Sequence, residues 1–325
     1  MMRDRARLAA AVLALILVAC AGRDATMNGP RTTPASAAPA IAPSAGDSET
    51  ETERSSGPSA VPRFSKKRAM SHVRKLARSI GVRERATPNE RKGARYVART
   101  FRSFGYEVAG QRFKVDGGRS RNIIASWPGS KRYGFVIGGH MDSVPGAPGA
   151  NDNASGTAVV LELARLFAGT PQADQLRFVG FGSEEYGDDG RHHVGSAVYV
   201  KRLRQKGRHR LAGMVSVDMI ADGRPLLVGN SDIADNVVAR TLYRKIKRGG
   251  TRVRYITLCD CSDHGPFERA GIPAAFAYSG RESDYHSPSD TVVNLKPRDL
   301  LRTGRAMRTF VKAVDGNMLR KFRRH

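Results

Sequence analysis

The chain has 325 residues, 40% of them hydrophobic, and a formal net charge of +25. Long apolar runs with clear periodicity exclude a wholly disordered protein, and three cysteines exclude a disulfide scaffold. Residues 1–21 carry +2 and residues 22–63 carry −1, so +24 lies on residues 64–325. That stretch suits one large domain, able to bury a core without disulfides or metal. A basic surface of this kind is attracted to anionic lipid, nucleic acid or acidic polymer, and many such surfaces are simply solvated.

Met1–Arg7 is short and basic, and Leu8–Val18 is an apolar run. Eleven residues are too few to cross a bilayer of roughly 30 Å as a helix, but they suit a signal-peptide core. The run ends Leu17-Val18-Ala19-Cys20, which resembles a bacterial lipobox. Residues 1–19 then read as a lipoprotein signal peptide, with Cys20 as the lipidation site. Residues 20–63, rich in Ala, Pro, Ser and Thr, read as a disordered tether with a reach of roughly 35–40 Å. The expected location is the bacterial cell envelope: exported and lipid-anchored to a membrane.

Thr87-Pro88-Asn89-Glu90 reads as a helix start, with Thr87 capping and Glu90 reaching back. Ala94, Val97, Ala98, Phe101 and Phe104 follow at helical spacing, and Gly105 stops the helix. Strands are predicted at Tyr106–Val115, Arg121–Trp127 and Tyr133–Gly138, then an apolar-faced helix at Thr157–Phe167. Further strands are predicted at Leu176–Gly182, Gly213–Met219, Leu226–Gly229, Val253–Leu258 and Ala274–Tyr278, with a last helix at Pro297–Val314. This alternation predicts a three-layer α/β/α sandwich around a central mixed, mostly parallel sheet.

Five segments end in groups that can hold a metal: Gly139-His140-Met141-Asp142-Ser143, Asn151-Asp152-Asn153, Glu184-Glu185, Val217-Asp218 and Tyr285-His286-Ser287-Pro288. Singly they are weak. His140 fits a hydrogen-bonded strand end, and Asn-Asp-Asn fits turn and helix-cap chemistry. Together, two His and three carboxylates match two zinc ions that share one carboxylate and leave room for water. Glu184 is then free for proton transfer.

These segments, in this order and over most of residues 85–314, resemble the di-zinc aminopeptidases, the class that includes aminopeptidase Y and the co-catalytic bacterial leucyl aminopeptidases. The resemblance implies an aminopeptidase that holds two zinc ions per chain and cuts the N-terminal peptide bond with a bridging hydroxide. It assigns His140, Asp152, Glu185, Asp218 and His286 as ligands, Asp152 as the bridge, and Glu184 as general base. Asp142, beside His140, is a candidate to orient that imidazole. Asp263, in Ser262-Asp263-His264, matches a family segment near the site. There His264 is read as structural or substrate-facing rather than as a ligand. Two departures stand out. The loop after Glu185 is polar and long, and Cys259-Asp260-Cys261 lacks the Tyr that some relatives place there. The two thiols either bond across one residue or stay free.

Two other readings stand beside this one. A glutaminyl cyclase-like single-zinc acyltransferase shares the His-x-Asp-Ser segment, but the intact Asn151-Asp152-Asn153 run favours two metals. A tethered basic binding protein would use the Lys201–Arg210 run and the basic tail Arg320–Arg324. No nucleic-acid motif accompanies those runs, so no specific nucleic acid is expected. The expected partners are peptide or protein N-termini as substrate, and a membrane through the lipid anchor.

Overall fold

A computed structural model describes residues 61–115, 117–130, 134–280 and 283–325. The expected signal peptide, Cys20 and the tether up to residue 60 lie outside the described residues. Val61 packs on the core and Phe64 is buried in it. Ser65 caps the first helix, α1 (Lys66–Val73), by accepting from the backbone N–H of Arg68.

Thr87 caps α2 (Pro88–Ser103) as its sequence predicts, accepting from the N–H of Glu90 at 3.3 Å. Glu90 departs from the expected box. Its Oε2 accepts from the N–H of Ala86 at 2.7 Å, and its Oε1 takes the Ser120 hydroxyl at 2.5 Å. The capping residue thus also ties α2 to the sheet. That sheet begins with a hairpin, β1 (Glu107–Val115) and β2 (Gly118–Ser126). β2 starts three residues before its predicted position, because hairpin pairing continues to Val115↔Gly118. The predicted strand start at Tyr133 lies outside the described residues, and β3 spans Phe135–His140.

The remaining elements are α3 (Gly156–Phe167), β4 (Leu176–Phe181), α4 (Val194–Arg202), α5 (Arg204–Arg210), β5 (Met214–Val217) and β6 (Leu226–Gly229). They are followed by α6 (Val237–Arg248), β7 (Val253–Tyr255), α7 (Gly265–Arg269), β8 (Ala274–Tyr278), α8 (Pro297–Lys312) and α9 (Gly316–Phe322). β5 is shorter than predicted, because the chain turns at Asp218 and Met219, the latter at φ 47°. β7 stops at Tyr255 rather than Leu258, although Ile256 and Leu258 still donate to Val228 and Asn230.

The eight strands are ordered β1-β2-β4-β3-β5-β8-β6-β7. The central four, β4-β3-β5-β8, are parallel, while β2 and β6 flank them antiparallel. Helices α1, α3 and α8 pack together on one face, joined by α2 and α6. On the other face α4 and α7 bury Tyr199, Val200 and Phe267 against Val136 and Val179. This is the mixed, mostly parallel three-layer sandwich. Both faces of β3 are covered, so all its residues are buried, and its apolar run needs no alternation.

Candidate active site

His140 is the last residue of β3, Glu184 and Glu185 follow β4, and Asp218 follows β5. Because these strands are parallel neighbours, all four residues emerge at one sheet edge, where open α/β sheets build their sites. The loop carrying Asp152 must pass close to β5 to reach the same place. A Cβ on Gly156 would lie 2.0 Å from the carbonyl oxygen of Val217, so only glycine fits there. Gly149 opens the turn at φ 60°.

The Asn-Asp-Asn run divides its labour. Asn153 accepts from the N–H of Gly156 at 2.8 Å and donates to Val217 O at 3.0 Å. Asn151 accepts from the N–H of Ala221 at 2.9 Å. Cap chemistry therefore accounts for one bond of Asn153, while the Asn151 bond and the other Asn153 bond tie the loop to the chain at and after β5, and Asp152 faces the His and Glu side chains. Asp290 holds this loop, accepting from the N–H groups of Asn151 at 2.7 Å and Asp152 at 3.0 Å. Arg83 supports it from below. Its wholly buried guanidinium donates to the carbonyls of Met141, Leu76, Gly81, Pro148 and Gly149 at 2.6–3.2 Å. Sequence reading did not single out Arg83; its cue, the first of two arginines in Arg83-Glu84-Arg85 just before the Thr-Pro helix start, is faint.

Asp152 sits between two imidazoles. Its Oδ1 lies 3.1 Å from His140 Nε2 and its Oδ2 lies 3.2 Å from His286 Nε2. His286 Nε2 is also 3.0 Å from Glu185 Oε2, and His140 Nε2 is 3.5 Å from Asp218 Oδ1. Six side chains named from the sequence thus converge. Donor atoms of His140, Glu184 and Asp218, and of His140, Asp152 and Glu185, lie within 4.8 Å of one another. Glu185 Oε1, Asp218 Oδ1 and His140 Nδ1 are buried without a hydrogen-bond partner. Buried carboxylate oxygens without donors are costly, and a cation among them removes the cost. Nitrogen and oxygen donors of this kind fit zinc.

The titration behaviour expresses the same crowding. Burial, then the fields of Asp218, Asp152 and Asp142, hold the Glu184 carboxyl well above its usual range, and His140 opposes them. Burial and Asp152 do the same to Glu185. Burial would lower His286, but the hydrogen bonds it donates to Asp152 and Glu185 carry it up to about 10. Asp263 is buried, with both carboxylate oxygens unbonded, and burial and Glu184 push it up to about 8. Asp142 lies 3.6 Å from His140 Nδ1, while its oxygens accept from the N–H groups of Glu184 and Glu185 at 3.1 Å each. His264 stands apart from both donor groups, bonding Cys259 O and stacking on Phe276.

A further residue, His193, was not singled out. Its Nε2 lies 3.0 Å from Glu184 Oε1, and its N–H donates to the Glu184 carbonyl at 2.6 Å. The long loop after Glu185 folds back to deliver it, with Tyr186 stacked on His192 and His192 against His193. These rings wall a cleft of about 160 Å³ that opens over Asp152, Glu184 and Glu185 and is faced by Met219, Tyr278 and Tyr285. Cys259 and Cys261 form a disulfide at its rim, the first of the two alternatives left open above.

The profile of peptidase family M28 matches residues 122–311, more than half of the chain. The chain belongs to that family. Aminopeptidase YwaD of Bacillus subtilis is 34% identical over 175 residues, covering 51% of this chain and 37% of its own length. The probable lipoprotein aminopeptidase LpqL of Mycobacterium tuberculosis is 31% identical over 181 residues, covering 50% and 35%. The chain thus spans little more than a third of the length of these two relatives. Among solved structures, the zinc aminopeptidase BSAP of Bacillus subtilis superposes with TM-score 0.72 at 21% identity, covering 80% of this chain and 97% of its own. A glutaminyl cyclase of Bacteroides thetaiotaomicron superposes with TM-score 0.69 at 20% identity, covering 79% and 100%. The M28 fold therefore does not by itself choose between the two activities.

Proposed function

We propose that this M28 chain is a zinc-dependent aminopeptidase acting on peptide or protein N-termini. The observation that carries this is Asp152 set between His140 and His286, with Asp218 and Glu185 flanking them. His140, Asp218 and Asp152 would hold one ion, and His286, Glu185 and Asp152 the other. Zinc in such a site supplies Lewis acidity, polarising the scissile carbonyl and lowering the pKa of water. The acidic cluster also suits a protonated α-amine on the substrate.

Glu184 performs the proton transfers. Its carboxylate takes a proton from the attacking water as the C–O bond forms. It returns that proton to the departing nitrogen as the C–N bond breaks. His193, at 3.0 Å, fixes the rotamer of Glu184 between these roles. Its own place is set by the backbone bond to the Glu184 carbonyl.

The same proposal covers the architecture. Residues 1–19 direct export, Cys20 carries the lipid, residues 20–63 tether, and residues 64–325 catalyse. The likeness to LpqL supports an envelope location. Among the described residues no helix is long and apolar enough to cross a membrane.

The test is metal analysis joined to a panel of free and N-blocked peptides. Two zinc per chain and cleavage of free N-termini alone support the reading. One zinc with cyclisation of N-terminal Gln would overturn it in favour of the cyclase.

A further inference from the structure

Away from the cleft, five arginines converge on one groove of about 500 Å³ at the β1 edge of the sheet. Arg95, Arg99 and Arg102 share one face of α2 by their three- and four-residue spacing. Arg112 of β1 and Arg121 of β2 close the other side. The groove shares no lining residue with the cleft.

The pairing here is unusual. Arg112 lies directly opposite Arg121, and two residues further along the same face Lys114 lies opposite Arg119. Like charges directly opposite one another destabilise a hairpin. Among the described residues none of the five arginines forms an ion pair with an acid. Arg121 Nε is buried without a hydrogen-bond partner. Burial, then Arg112 and Arg95, hold Arg121 below its usual range, with buried Glu90 as the opposing acid. An anion in the groove relieves all of this at once, and guanidinium forks match phosphate oxygens.

We propose that this groove binds phosphate headgroups and docks the domain on an anionic phospholipid surface. The floor contains Ala98, Gly110 and Ile123, and no lining residue is aromatic. Nothing there stacks a base, which disfavours single-stranded nucleic acid. A lipid anchor at Cys20 puts a bilayer within reach of the domain, but the docking rests on the groove alone.

The test uses the full chain carrying Cys20→Ala, so that no acyl chain contributes, with vesicles of phosphatidylglycerol in phosphatidylcholine or of phosphatidylcholine alone. The parent binds the anionic vesicles, and binding weakens as salt rises. Combined Arg95→Gln, Arg99→Gln and Arg102→Gln weakens binding about a hundredfold, at about fivefold per charge near such a surface. Arg112→Gln alone weakens it about fivefold, which keeps the test open if the triple variant fails to fold. Combined Lys247→Gln, Arg248→Gln and Arg252→Gln, by the opposite sheet edge at β7, leaves binding within about twofold. Equal losses from the two triple variants overturn the proposal, because net charge alone would then explain binding. So does capture of soluble polyphosphate without vesicle binding, or no binding at all, which would leave the arginines as protection for an edge strand.

Discussion

At the scale of single residues, the proposed chemistry separates two side chains that touch. Replacing Glu184 with Gln keeps its shape but removes the base. Turnover of aminoacyl anilides should fall about 10²–10⁴-fold with bound zinc unchanged. His193 acts one step further out. His193→Ala should lower kcat about tenfold with KM nearly unchanged, and His193→Gln should recover part of it through its amide donor. If KM rises while kcat holds, His193 binds substrate rather than positioning Glu184. The proposed ligands were legible because chemistry restricts residue types: His, Asp and Glu at strand ends. His193 was not. Its partner lies nine residues away, through a loop whose path no local pattern gives.

At the scale of elements, the loop from Gly149 to Gly156 is the demanding part, since its backbone is buried and leaves helical geometry at Asp152 and Asn153. Asp290 supplies the acceptor for two of its N–H groups across 138 and 139 residues of chain. Asp290→Ala strands both donors. The expected cost is about 2–6 kcal/mol of unfolding free energy, by chemical denaturation, with a further loss of zinc affinity. A cost under about 1 kcal/mol would mean water replaces the carboxylate there. The sequence placed Asp290 inside a motif but not its task, because the task is defined by a distant loop. Helices divide the same way. The helices α2, α3 and α8 were legible through caps and apolar stripes. Helix α6 was not read: its buried Val238, Leu242 and Ile246 fall at helical spacing, but Val237, Val238, Thr241 and Ile246 are residue types that suit strands equally well. Packing of α6 on β6, β7 and β8 decides the matter.

At the scale of the whole molecule, stability depends on how acidic groups are buried within a basic chain. Added zinc should raise the unfolding temperature and a chelator should lower it, because a ligand that binds only the folded state stabilises by mass action. Glu90 lies outside the proposed ligand set and gives a separate handle. Burial, then Asp142, raise its carboxyl from 4.5 to about 7, against hydrogen bonds from Ser120, Ala86 and Ser183. The folded state therefore binds this proton more tightly than the unfolded chain does. Its contribution is largest below the unfolded pKa, declines as pH rises toward 7, and is flat beyond. Glu90→Gln mimics the protonated acid: its amide oxygen can accept from Ala86 and its amide nitrogen can donate to Ser120. The stability of the variant minus that of the parent should therefore grow by roughly 3 kcal/mol between pH 4.5 and pH 8, in paired denaturation curves at fixed zinc. A difference independent of pH would show that Glu90 stays ionised in the folded protein. Its contacts with Ser120 and the helix cap would then outweigh its burial.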